Sequence, residues 1–194
     1  MAVIENKNNR IVGLLGIFSV LVFSISLIIF GNLNPTFDFI DDFVSKLGAK
    51  GAPNAILWNI IGFGLVGDML TGFGIIYGSI LKDKLAGVLL AFFGIGFAFT
   101  AIPIDMAASE SAVSKAHIVA ICLALAFWLF GLARIASNQL IEQKVRFRAN
   151  VTALLIVIAM IGFAVGFWSM PITCLLYTSP SPRDQRGSRM PSSA

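Results

Sequence analysis

Charge is what this sequence has least of. Asp, Glu, Lys and Arg together make up 12% of its 194 residues, about half the share usual in a soluble domain. Tyr occurs twice and His once. So little charge beside so much apolar residue excludes a disordered chain. It excludes a nucleic-acid-binding domain, which needs a basic stripe or patch, and most soluble enzymes. The sequence lacks Gly-x-Ser-x-Gly, His-Glu-x-x-His and Cys-x-x-Cys, so no motif calls for a cofactor or a dedicated metal site, and no cofactor is expected. Cysteine is equally scarce, with only Cys122 and Cys174.

What is present is apolar. Hydrophobic residues reach 57%, with 17 Phe and 18 Gly, and the mean hydropathy is +0.88. Such a composition belongs to an integral membrane protein whose first partner is the lipid bilayer.

The last 21 residues break this pattern. Cys174 to Asp184 and Ser188 to Ala194 resemble the read-through translation of a transposon-type sequencing-library adapter, and Gln185 to Gly187 stand where its variable index would fall. We therefore expect residues 174–194 to be a non-native, unpacked tail and residues 1–173 to form one transmembrane domain. On this reading the native chain is cut near Thr173 and a sixth span is lost. Cys122 is then alone in an apolar segment and has no internal disulfide partner.

Five apolar segments remain, at about 11–30, 56–81, 85–104, 116–133 and 149–170. The first holds 20 residues without a charge, the length needed to cross a hydrocarbon core. The second is interrupted only by Asp68, and Lys82-Asp83-Lys84 joins it to the third. So short a link makes those two helices antiparallel neighbours. The runs are too long, and alternate too little, for a transmembrane barrel. With the N-terminus inside, inner segments carry eight Lys and Arg against three outside. The positive-inside rule then places the N-terminus in the cytoplasm of a plasma (inner) membrane protein, with residues 31–54 and 105–115 on the outer face.

Two places invite chemistry. Asp68 falls near the middle of the second segment, where a carboxylate costs about 2.5–3.5 kcal/mol on insertion scales. Gly64, Thr71 and Gly72 lie within a helical turn of it, so it is expected to face another helix and to be a candidate ion or proton site. On the outer face the topology gathers Ser45, Asp105 and His117, the residue types of a hydrolase triad. Asp41, Asp42, Asp105 and His117 are alternatively oxygen and nitrogen donors for a metal. Neither reading has diagnostic spacing. The plainer expectation is that Asp105 and His117 approach one another and hold helix ends together, with Ser45 or the Asn54–Asn59 segment as a third partner.

The same residues carry a family resemblance. Ser45-Lys46-Leu47-Gly48, Ala52-Pro53-Asn54 and Trp58-Asn59 resemble the block after the first span of the domain of unknown function 998 membrane-protein family. Pro103-Ile104-Asp105 before His117 is similar to its second block. The resemblance covers about residues 11–170 and implies a six-helix bundle with no assigned activity. It singles out Ser45, Gly48, Pro53, Asn59, Pro103, Asp105 and His117. Two departures stand out: Ile102 where an aromatic is expected, and the missing sixth helix.

The sequence thus predicts an all-α polytopic transmembrane bundle with five spans. Its first functional reading is a non-enzymatic bundle that binds a lipid or small apolar ligand or supports a membrane assembly. The alternatives are a membrane-embedded hydrolase at Ser45, Asp105 and His117, and an ion- or proton-coupled carrier using Asp68.

Overall fold

The computed structural model describes residues 2–108 and 110–164. Five helices account for most of them: α1 (Ala2–Leu33), α2 (Ala55–Ile80), α3 (Lys84–Phe99), α4 (Ala112–Ser137) and α5 (Gln143–Ala164). A five-residue 3-10 turn, Val44–Gly48, lies between α1 and α2. Four of the helices are long and apolar enough to cross a membrane; α3, at 16 residues, is shorter. The predicted tail at 174–194 and residues 165–170 of the predicted fifth span lie outside the described residues.

Small residues set the closest helix pair. A Cβ placed on Gly78 of α2 would lie 2.3 Å from the Gly87 Cα of α3, and one on Gly74 would lie 2.4 Å from the Ala91 nitrogen. Backbones in such contact gain dispersion and need no side-chain ordering, which is how apolar helices associate in lipid. The turn between them uses Lys82 in the left-handed region, φ 55°. Asp83 caps α3 by accepting from the Ala86 backbone N–H at 3.1 Å.

Two apolar clusters hold the ends of the bundle. At the hairpin end, Ala86, Leu90, Ile135, Ala136, Ile141 and Ala149 pack together. At the opposite end, Phe30, Val44, Leu47, Trp58 and Phe63 do so. The second cluster explains why residues 44–48, which the sequence places in an outer-face loop, are not solvated. Val44, Ser45, Leu47 and Gly48 are buried, and the turn is folded into the bundle.

Two further departures are local. The third span is predicted to run to residue 104, but regular helix stops at Phe99. Pro103 has no N–H and disfavours helical geometry at Ile102. The chain tightens before it, with Thr100, Ala101 and Ile102 each bonding three residues back. In α2, residues Asn59–Leu65 take the wider π-helical winding, a form found mostly as single-turn bulges at functional sites. Gly62 allows it, because a Cβ there would meet the Trp58 ring at 2.9 Å.

Candidate functional site

The π-wound start of α2, the buried 3-10 turn and the ends of α3 and α4 meet at one end of the bundle. Its centre is His117, in the second turn of α4 and only 1% exposed. Its ring stands edge-on to Phe63, centroids 6.5 Å apart. Nδ1 lies 2.7 Å from the Ile102 carbonyl oxygen, and Nε2 lies 3.0 Å from Ser45 Oγ. A carbonyl only accepts, so Nδ1 carries the proton. In the neutral ring Nε2 then holds the lone pair, and the Ser45 hydroxyl donates to it. The Ile102 carbonyl is free for this role because Pro103 has ended the helix.

Asn59, 6% exposed, donates from Nδ2 to the Gly48 carbonyl at 3.0 Å and ties the turn to α2. A Cβ on Gly48 would fall 1.9 Å from Asn59 Oδ1, so this position needs glycine. Pro53 stands just ahead of Asn54, the left-handed residue (φ 58°) from which α2 starts. Two buried donors at this end, Trp58 Nε1 and Asn34 Nδ2, have no partner among the described residues.

Asp105 does not complete a triad. Both ring nitrogens of His117 have other partners, and the Asp105 carboxylate turns to its own loop. Oδ1 accepts from the Ala107 and Ala108 N–H groups at 3.1 Å, and Oδ2 accepts from Lys50 Nζ at 3.2 Å. The Lys50 ammonium holds this carboxyl below the usual carboxylate range; partial burial opposes it, and the two backbone N–H groups assist. The direct Asp105–His117 pairing expected from the short connection is therefore replaced by two separate ties. The reason is that Asp105 N–H and the Ser111 hydroxyl both reach Ser114 Oγ, at 3.0 Å each, and organise the loop locally. Lys50 was not singled out from the sequence. Its backbone N–H also donates to the Ile104 carbonyl at 2.8 Å, a loop pairing with no local sequence signal.

The acidic loop is likewise self-contained. Asp38 accepts from the Ile40 and Asp41 N–H groups, and Asp42 takes both the Asp38 N–H and Lys46 Nζ. Among the described residues, no three His, Cys, Asp or Glu side chains converge to hold a metal ion.

Asp68 also departs from expectation. It is exposed on α2, with no hydrogen bond or ion pair among the described residues. Gly67, Gly74 and Gly78 form the face against α3, and Gly72 meets Leu15 of α1. Asp68 follows Gly67 by about 100° of helix rotation and so falls on the outward strip between those contacts.

Beside the Ser45–His117 pair lies a groove of about 760 Å³, within the usual range for small-molecule sites. All five helices contribute to it. Phe63, Val66, Leu70 and Phe73 of α2 with Leu90, Phe93 and Phe97 of α3 form its floor. Gly16, Ser19, Val20 and Phe23 of α1 bound one side, and Ile121, Leu125 and Trp128 of α4 with Leu155 and Ile156 of α5 bound the other. Ser19, Ser24, Ser45 and Thr100 are its hydroxyls; among the described residues no Asp, Glu, Lys, Arg or His lines it.

Residues 17–182 match the family model described as protein of unknown function (DUF998). The chain belongs to the DUF998 family. The matched span takes in residues 174–182, so it overlaps the segment that resembles adapter. No curated protein and no solved structure matches this DUF998 chain. Among the described residues, four helices long and apolar enough to cross a bilayer make it a multi-pass membrane protein.

Proposed function

We propose that this DUF998 protein binds the acyl chain of a lipid, or a ligand of similar apolar shape, in the groove between α1 and α5. The observation that carries the reading is the groove itself: about 760 Å³, reached by every helix and lined by apolar side chains with a few hydroxyls. Such a lining offers nothing to an ion or a charged metabolite, whose desolvation would go unmatched. It suits a hydrocarbon chain whose polar head rests near Ser45 and Thr100. Asp68 lies on a different strip of α2, which weighs against a carrier that uses it.

In the same reading α3 also crosses the bilayer. Its first residue follows the hairpin and its last precedes the Ser45–His117 end, so it must connect the two faces. Sixteen residues give ~24 Å at 1.5 Å each, and the tightened turns to Ile102 extend it. The Lys and Arg bias supports a cytoplasmic hairpin end and an outer Ser45–His117 end in a plasma (inner) membrane.

A phospholipid with a diazirine in its acyl chain tests the binding. Light should attach it to the inward residues Phe93, Phe97 and Leu125 in excess of outward ones such as Ile17 and Ile75. Labelling spread evenly over the lipid-facing surface would reject the groove. A helix seated there in place of lipid would give the same negative result.

A further inference from the structure

We infer that the Ser45–His117 pair is a nucleophile and general base that cleaves an ester of the chain held in the groove. The inference rests on the lipid-binding reading above and adds a reaction to it. The Ser45 hydroxyl belongs to a residue that lines the groove, and it bonds the histidine. Its hydroxyl lies 3.0 Å from Nε2, within the reach that proton transfer requires. His117 stands behind it, outside the lining and 1% exposed.

The Ile102 carbonyl takes the place an aspartate holds in a triad. At 2.7 Å it accepts from Nδ1–H, which fixes both the tautomer and the ring plane. A carbonyl stabilises an imidazolium less than a carboxylate does, so slow turnover is expected. The pair's geometry is supported from three sides. Phe63 holds the ring edge-on, Asn59 anchors the turn that carries Ser45 through Gly48, and Pro103 frees the carbonyl.

The chemistry closes without a cofactor. Ser45 Oγ attacks the ester carbonyl carbon while its proton passes to Nε2. The ester C–O bond breaks, and the leaving alcohol takes that proton. Water then attacks the acyl-serine and gives a proton to Nε2, which returns it to Oγ as the carboxylic acid departs. Nδ1–H remains on the Ile102 oxygen throughout. The substrate class is a lipid ester or thioester with a long acyl chain, since the groove is apolar and uncharged.

The test is covalent capture. Purified protein in detergent micelles is treated with a long-chain alkyl fluorophosphonate, and the labelled peptide is mapped by mass spectrometry. Attachment at Ser45 is expected, absent in Ser45→Ala and slowed by about 10²–10⁴-fold in His117→Gln, with turnover of a long-chain 4-nitrophenyl ester falling in parallel. Ser45→Ala removes a single oxygen, and its thermal midpoint confirms that the fold is kept. No labelling of the unaltered protein, with diazirine-lipid capture in the groove intact, overturns the nucleophile and leaves the binding reading standing. Loss of diazirine capture as well overturns both. Labelling that persists in Ser45→Ala also refutes the assignment.

Discussion

Asp83 is expected to be the strongest polar tie at the hairpin end, and replacing it with Ala measures that tie. The residue is 4% exposed. Its carboxylate accepts from Ala86 N–H at 3.1 Å, Arg134 Nε at 2.9 Å and Asn138 Nδ2 at 2.6 Å. One side chain thereby caps α3 and fastens it to the end of α4. Loss of the cap costs about 1 kcal/mol, and each hydrogen bond to the charge contributes about 1.5–3 kcal/mol at most. Arg134 is 43% exposed, so water replaces much of its share and a pair of this kind is worth under ~1 kcal/mol. The expected loss for Asp83→Ala is therefore about 2–4 kcal/mol at neutral pH. Burial alone would raise this carboxyl's pKa, but the Ala86 N–H, the Asn138 amide and the Arg134 guanidinium outweigh it and hold it below the usual range. A depressed folded pKa adds stability above the ordinary aspartate value, about 3.9, and that stability fades as pH falls through the folded value. Unfolding in detergent, followed by circular dichroism from pH 7 downward, should show a gap between the two proteins that narrows below about pH 4. An unchanged midpoint at pH 7, or a gap that stays constant into acid, refutes the reasoning.

Other expectations follow from single contacts. Gly78→Val should force α2 and α3 apart, because its Cβ would lie 2.3 Å from the Gly87 Cα; a loss of at least about 1–3 kcal/mol in thermal unfolding is expected, and full stability would contradict the packing. His117→Phe keeps the ring but strands the Ile102 carbonyl and the Ser45 hydroxyl, at about 1–3 kcal/mol for each buried group left unpaired; an unaltered melting curve would show that the pair contributes nothing. Asp68→Leu should ease insertion of α2 by about 2.5–3.5 kcal/mol in a glycosylation-based insertion assay and leave lipid capture unchanged; lost capture would mean that Asp68 serves the groove after all.

Much of the bundle was legible because apolar length is a strong signal. The charge-free run at 11–30 and the Lys82-Asp83-Lys84 hairpin mark α1 and the α2–α3 turn, whereas the third apolar run overshoots the end of α3 at Phe99. What lay hidden depends on tertiary contact. The burial of Val44–Gly48 follows from Trp58 and Phe63 arriving from another helix, and no local period announces it. The π-winding of Asn59–Leu65 needs Gly62 beside Trp58, a fit visible only in three dimensions. Ser45 and His117 stand out in the sequence and do meet, but the partner of the second ring nitrogen is the Ile102 carbonyl and not a side chain. Backbone groups carry no residue type, so no pattern of letters could name it. Lys50 escaped for a related reason: a lone lysine in a loop looks solvated until Asp105 is placed beside it. Asp68 was assigned a helix-facing position from neighbouring small residues. Thr71 and Gly72 do pack, against α3 and α1, but on either side of it.

The account rests on a groove that accepts an acyl chain, and Trp128 reports on it directly. The chain has three tryptophans, and Trp128 lines the groove. In a Trp58→Phe, Trp168→Phe variant, its fluorescence is titrated with a fatty acid brominated along the chain. Quenching that saturates at a single chain per protein, and is lost when Ile121→Phe narrows the groove, is the expected result. Quenching that rises linearly with ligand and ignores Ile121→Phe would mean that the chain only dissolves in the surrounding detergent, and the proposed site would fall.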